Sequence, residues 1–202
     1  MSDKQVQSPN VVWHKGAIDR AARWRAHRLG GATVWFTGLS GSGKSSIAVE
    51  VERILLERGR AAYLLDGDNL RHGLNGDLGF SPEDRHENVR RAAEVARLFA
   101  DAGIVALVPL ISPYRSGRQR ARELHVAAGL PFFEIYVDTP IEECERRDPK
   151  GLYARARAGE ISGFTGVDDP YEPPDSPDLV LRPQDGPPET QAQGVIELIE
   201  AS

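Results

Sequence analysis

The chain has 202 residues, 40% of them hydrophobic and 27% charged, with a formal net charge of −5 at pH 7. That length suits one domain with a core of its own, and the composition is that of a soluble globular protein. The acidic balance argues against bulk nucleic-acid binding, and the single cysteine, Cys144, excludes an internal disulfide framework and fits a reducing compartment.

In chain order, residues 1–10 are polar, without the apolar core of a signal peptide, and are expected to form a disordered tail. Residues 17–29 favour a helix with Ile18, Ala21, Trp24 and Leu29 toward one side, so 11–30 reads as an N-terminal arm that Gly30-Gly31 ends. Ala32 to Thr37 is a short apolar strand. It runs into Gly38-Leu39-Ser40-Gly41-Ser42-Gly43-Lys44-Ser45-Ser46, and Ile47 to Arg58 follows as a helix. Gly38-x-x-x-x-Gly43-Lys44-Ser45, between a strand and a helix, matches the phosphate-binding loop pattern in the setting that pattern requires. Glycines admit positive-φ turns and let backbone N–H groups approach an anion, while the helix N-terminus adds partial positive charge. Lys44 is placed to reach the β- and γ-phosphates, and the Ser45 hydroxyl suits a Mg²⁺ ligand.

Gly59 caps that helix, and residues 61–65 read as a second buried strand ending at Asp66-Gly67-Asp68. Ser81-Pro82-Glu83-Asp84 starts a helix running to about Ala102, with Val89, Ala92, Ala96 and Phe99 on its buried stripe. Ile104 to Leu110 reads as a parallel strand covered on both faces; extended to Ile111 it is the longest apolar run, and too short to span a bilayer. It delivers Ile111 and Ser112. A helix over about 116–128, a strand over 132–138 and a helix over 141–147, begun by Asp138 or Thr139, come next. Residues 148–166 are basic and glycine-punctuated with little apolar content, as expected of a mobile lid. Seven of the fourteen prolines fall between Pro170 and Pro188, so that segment should wrap the surface, with a fifth strand at 178–181 and a closing helix at 189–200.

Strands alternating with helices imply an α/β fold: a P-loop NTPase-type parallel β-sheet flanked by helices, in one kinase domain over 31–202 with its lid near 148–166. The five histidines show no metal-ligand spacing, and Cys144, on a predicted helix, reads as a packing residue. No Asn-Lys-x-Asp run of the guanine-reading kind is present. Instead Asp66, Asp68, Arg71, Arg85, Asn88 and Ser112 converge on the strand edges, where open α/β sheets bind ligands. Arg85 and Asn88 share one helix face. The basic clusters at Arg20–Arg28 and Arg115–Arg122 would suit a small anion, whereas Arg90 and Arg91 read as solvated surface residues.

At this point a resemblance enters. Asp66-Gly67-Asp68-Asn69-Leu70-Arg71-His72-Gly73-Leu74-Asn75, then Leu78-Gly79-Phe80-Ser81-Pro82-Glu83-Asp84-Arg85-x-Glu87-Asn88, resembles the adenylylsulfate kinase (APS kinase) family of P-loop kinases. So do Ile111 to Arg115, Arg147 to Tyr153, Gly163 to Gly166 and the opening Asn10-Val11-Val12-Trp13-His14, over residues 10 to about 200. The resemblance implies transfer of the ATP γ-phosphoryl to the 3′-hydroxyl of adenosine 5′-phosphosulfate (APS), giving PAPS and ADP in sulfate assimilation. Gly38 to Ser46 and Arg147 would bind ATP. Ser45 and Asp66 would hold Mg²⁺, partly through water. Lys44, Asp66 and Asp68 would be catalytic, with the two aspartates dividing metal-water ligation and handling of the hydroxyl. Asp68, Arg71, Phe80, Arg85, Asn88, Ile111, Ser112, Lys150 and Phe164 would bind APS, the two phenylalanines sandwiching its adenine. Ser112 stands at the family's phosphoserine position; no adjacent base is evident, so a contact role is expected. Ala154 and Ser162 replace lysines frequent in the family's lid, and Arg155 and Arg157 are expected to compensate in part. A cytoplasmic homodimer linked to ATP sulfurylase, with no nucleic-acid or membrane partner, is the implied setting. The alternatives are a P-loop kinase for another small acceptor or a silent nucleotide-binding partner of ATP sulfurylase.

Overall fold

The structure, a computed structural model, describes residues 10–12, 14, 16–27 and 30–201. Residues 1–9 of the expected tail, Trp13 of the opening motif, and Arg28 and Leu29 of the arm lie outside the described residues. Five strands form one parallel sheet: β1 (Ala32–Thr37), β2 (Ala62–Leu64), β3 (Val105–Pro109), β4 (Phe132–Val137) and β5 (Leu179–Leu181), in the order β2-β3-β1-β4-β5. Around it lie α1 (Arg20–His27), α2 (Lys44–Glu57), α3 (Gly67–Arg71), α4 (Pro82–Ala102), α5 (Arg115–Ala127), α6 (Ile141–Arg147), α7 (Leu152–Arg157) and α8 (Pro188–Glu200). The fold class and most element boundaries follow the sequence reading to within a few residues.

Alternation along the central strands sorts side chains into two cores. Val34 and Phe36 of β1, Val105 and Leu107 of β3, and Phe133, Ile135 and Val137 of β4 face α2 and α8. Trp35, Ala106, Val108 and Phe132 face α4 and α5. Burial on both faces explains the near-continuous apolar strands, and the right-handed crossovers expected of parallel strands put every loop leaving a strand on one rim. Gly31, just before β1, permits a close approach to α4: a Cβ there would lie 2.1 Å from the Ala100 carbonyl oxygen.

The arm is anchored differently from its expected apolar stripe. Ile18 is 61% exposed, whereas Arg20 and Arg23 pair with Asp101 of α4 and the Trp24 indole N–H donates to the Asp101 carbonyl. Most of the described arginines of the two basic clusters are likewise paired within the fold. Arg118 and Arg122 of α5 bond Glu134 and Asp178, and Arg115 pairs with Asp175. Arg91 is a staple rather than a solvated arginine: it bonds Glu87, both carboxylate oxygens of Asp77 and the Leu74 carbonyl, holding the 74–77 loop to α4. Nor does Asp138 or Thr139 begin α6, whose N-cap is Pro140; Asp138 pairs with Arg182, and the Thr139 hydroxyl donates to the Ser42 carbonyl instead.

Candidate active site

The centre of the rim is the loop between β1 and α2. Gly38, Gly41 and Gly43 have φ of 147°, 74° and 106°, a left-handed region that costs other residues dearly. At Gly38 a Cβ would also meet the Val137 carbonyl oxygen at 2.6 Å. No side chain caps α2, so its first N–H groups remain open to an anion. Lys44 is 8% exposed, and its ammonium donates to the Leu39 carbonyl at 2.6 Å and the Ser42 hydroxyl at 3.3 Å. Burial lowers its pKa from 10.5 to about 8 against the opposing pull of nearby acidic groups.

Asp66 ends β2 and accepts the Ser45 hydroxyl at 3.1 Å. The same carboxylate caps α3 by accepting the Asp68 and Asn69 backbone N–H groups. A hydroxyl and a carboxylate side by side form a hard oxygen donor pair that fits Mg²⁺ together with waters and phosphate oxygens. Among the described residues no group of three or more His, Cys, Asp or Glu side chains gathers to hold a metal without such help. Asp68, two residues further along, meets the Lys150 ammonium from the 148–151 turn.

On the other side of the cleft the substrate-side candidates assemble. Arg85 and Asn88, one α4 turn apart, are both buried. Arg85 donates through Nε to the Phe80 carbonyl (3.0 Å), through Nη1 to the Thr165 hydroxyl (2.8 Å) and through Nη2 to the Gly163 carbonyl, with Asp169 3.7 Å away. One guanidinium thus ties together the two segments that carry Phe80 and Phe164. Phe80 is 63% exposed; Arg71 lies over its ring at 4.3 Å and holds the Leu78 and Gly79 carbonyls. Phe164 meets Tyr153 edge-on at 5.0 Å. Burial, then the like charge of Arg85, lowers the Arg71 pKa, so positive charge accumulates where an anion would relieve it.

Ser112 sits on the same rim at φ 41° and is 3% exposed. Its hydroxyl accepts the Trp35 indole N–H at 3.1 Å and bonds the Thr37 hydroxyl and the Leu110 carbonyl. Neither a carboxylate nor an imidazole is among these partners. The Ile111 carbonyl accepts the Thr37 hydroxyl, and the Ser112 carbonyl accepts from Arg118.

Several residues escaped the sequence reading. Residues 152–157 are helical, with Tyr153 and Ala156 buried, so the 148–166 segment is anchored by more than its composition indicated. The Tyr153 hydroxyl donates to the Ser40 carbonyl of the phosphate loop at 3.0 Å. Arg155 and Arg157 are engaged by Glu160 and Glu145 rather than turned to the cleft. Beside the phosphate loop, Arg147, Thr139, Pro183, Gly186, Pro187 and Gln191 line a cavity of about 280 Å³. Of these, Arg147 is the one that the resemblance implies for ATP binding. The proline-rich rim looked like surface wrapping, because only the fold brings residues 183–191 beside Ser42 and Gly43. Cys144 is fully buried with its backbone against Gly41, as expected of a packing residue.

Comparison with known proteins places the chain in a family. The sequence profile of the adenylylsulphate kinase family matches residues 30–182. An adenylyl-sulfate kinase of Clostridium kluyveri is 54% identical over 176 residues, covering 87% of each chain. The bifunctional enzyme CysN/CysC of Mycobacterium tuberculosis is 60% identical over 98% of this chain, which spans 31% of that longer protein. The solved structure of the M. tuberculosis APS kinase CysC in complex with AMPPNP and APS is 63% identical, with a TM-score of 0.83 over 85% of this chain and 99% of that one. The chain belongs to the adenylylsulphate kinase family.

Proposed function

We propose that the chain transfers the γ-phosphoryl of ATP to the 3′-hydroxyl of adenosine 5′-phosphosulfate, releasing PAPS and ADP. The observation that carries this reading is the buried Arg85 bridging the segments of Phe80 and Phe164, opposite a phosphate loop of complete pattern. A sugar-acid kinase has no need of an aromatic pair mounted on an arginine strut. The likeness to the M. tuberculosis kinase bound to AMPPNP and APS supports the same choice of ligands.

In this reading the 38–46 loop cradles the triphosphate and Lys44 neutralises charge on the group in transfer. The cavity at Arg147, Pro183 and Pro187 receives the adenine of ATP. Ser45 and Asp66 hold Mg²⁺, which supplies charge neutralisation on the phosphate oxygens. Asp66 is already committed to Ser45 and to the α3 N–H groups, which leaves Asp68, with Lys150 beside it, to orient the acceptor hydroxyl. Arg71, Arg85 and Asn88 bind the phosphosulfate, and Phe80 and Phe164 stack on the acceptor adenine. Phosphoryl transfer asks for positioning and charge stabilisation more than covalent help, so Ser112 serves as a contact and support. The 148–166 segment acts as the lid. The protein works as a cytoplasmic homodimer alongside an ATP sulfurylase that makes its acceptor; no helix among the described residues is long and apolar enough to cross a membrane.

The test is incubation with ATP, Mg²⁺ and APS, with AMP and gluconate as competing acceptors. PAPS and ADP are expected in equal amounts from APS alone. Phosphorylation of AMP or gluconate in preference to APS, or no ADP release at all, overturns the proposal.

A further inference from the structure

Asn88 does not stand alone in α4. Asn75, fully buried, reaches it from the loop between α3 and α4, and the Asn75 –NH₂ donates to Asn88 Oδ1 at 3.0 Å. The loop is firmly placed: the Asn75 backbone N–H bonds the Leu70 carbonyl at 2.8 Å, and Arg91 grips Leu74 and Asp77 on either side. Two facing primary amides pair in one of two senses, and the sense decides what Asn88 offers the cleft. Here the Asn75 oxygen is the only buried side-chain polar atom without a partner among the described residues. The Asn88 –NH₂, for which the described residues supply no acceptor either, is therefore open to the cleft. Reversal would bury an unpaired –NH₂ at position 75, and orphaned buried N–H groups are rarer in proteins than under-satisfied oxygens.

We propose that Asn75 is a positioning residue for the acceptor: it holds the Asn88 oxygen inward, so that Asn88 presents only N–H donors to an oxyanion. The inference rests on the cleft being the APS site. A phosphosulfate accepts hydrogen bonds and donates none, so an Asn88 turned the other way would set oxygen against oxygen.

The experiment measures KM for APS and for ATP in four proteins: wild type, Asn75→Asp, Asn88→Ala and the double variant. A carboxylate at position 75 accepts only, so it should draw the Asn88 –NH₂ inward. Loss of a charge-assisted hydrogen bond and gain of a repulsive one should raise KM for APS by about tenfold or more. KM for ATP should stay within about twofold of wild type, and in the Asn88→Ala background the Asn75→Asp effect on APS should vanish, the mark of two residues acting as one. KM is read on the active fraction, so partial misfolding does not mimic the result; if Asn75→Asp yields no folded protein, Asn75→Ala, which frees the amide to turn, takes its place with a smaller rise expected. An unchanged KM for APS, or an equal rise in both backgrounds, removes the assignment of Asn75 while leaving the acceptor site intact. A wild type that makes no PAPS removes the acceptor site itself, and this inference with it.

Discussion

Lys44 shows how one residue can oppose the stability of the fold that holds it. The folded chain releases its ammonium proton near pH 8, whereas an unfolded lysine keeps it to about 10.5. The charge therefore weighs against folding at all pH values below 8, and the penalty fades as pH rises between the two values. Lys44→Met should raise the melting temperature of the nucleotide-free protein at pH 7, by an amount corresponding to about 1–3 kcal/mol, and abolish the thermal shift with ATP and Mg²⁺. A lower melting temperature would show that the Leu39 and Ser42 bonds outweigh desolvation. Ser112 tests a different point. Its hydroxyl is consumed by Trp35, Thr37 and Leu110, so Ser112→Ala should cost stability, about 1–3 kcal/mol for the orphaned indole N–H, yet keep substantial turnover. Total loss of turnover in a folded variant that still binds both nucleotides would instead indicate a phosphoserine intermediate.

At the scale of elements, the 148–166 segment and the phosphate loop are joined through α7. Tyr153 contacts the Ser40 carbonyl with its hydroxyl and Phe164 with its ring, so one side chain touches the donor loop and a residue assigned to the acceptor. Tyr153→Phe keeps the ring and deletes the bond, and should lower kcat/KM for both nucleotides by roughly two- to tenfold, as expected of one neutral hydrogen bond. A change confined to one nucleotide, read from initial rates with the other saturating, would show that α7 serves a single site. This coupling was invisible in the sequence, where the stretch reads as basic and unanchored; a tyrosine at its second helical position finds its pocket only once β1 has placed Ser40.

For the whole molecule, the pH dependence of stability has an identifiable source. His125 is fully buried on α5, with Nδ1 donating to the Ala121 carbonyl and Nε2 accepting the Thr33 hydroxyl of β1, each at 2.8 Å. Burial lowers its pKa, so the neutral imidazole is the form that folds. Its contribution is complete above the unfolded value of about 6.5 and is lost as pH falls below it toward the depressed folded value. Urea unfolding followed from pH 7 to pH 5 should therefore show stability falling, and His125→Gln should flatten the slope by up to about 1.4 kcal/mol per pH unit. An unchanged slope would assign the acid sensitivity to other groups.

The chain's own pattern determined the class of fold and the phosphate-loop pattern, because strand alternation, glycine placement and helix caps are local rules read from a few neighbouring residues; the APS-side candidates, Phe80 and Phe164 above all, came from the family resemblance and not from such rules. The shared face of Arg85 and Asn88 followed from their spacing, whereas their burial came with the fold. Only the tertiary structure decided which charges are paired: Arg20 of the arm and Arg118 and Arg122 of α5 meet Asp101, Glu134 and Asp178, partners between 16 and 81 positions away along the chain. The same holds for the proline-lined cavity beside Gly43 and for the Asn75–Asn88 pair. Local periodicity says which way a side chain points, but an ion pair or an amide pair exists only where the fold brings two distant groups to within about 3 Å.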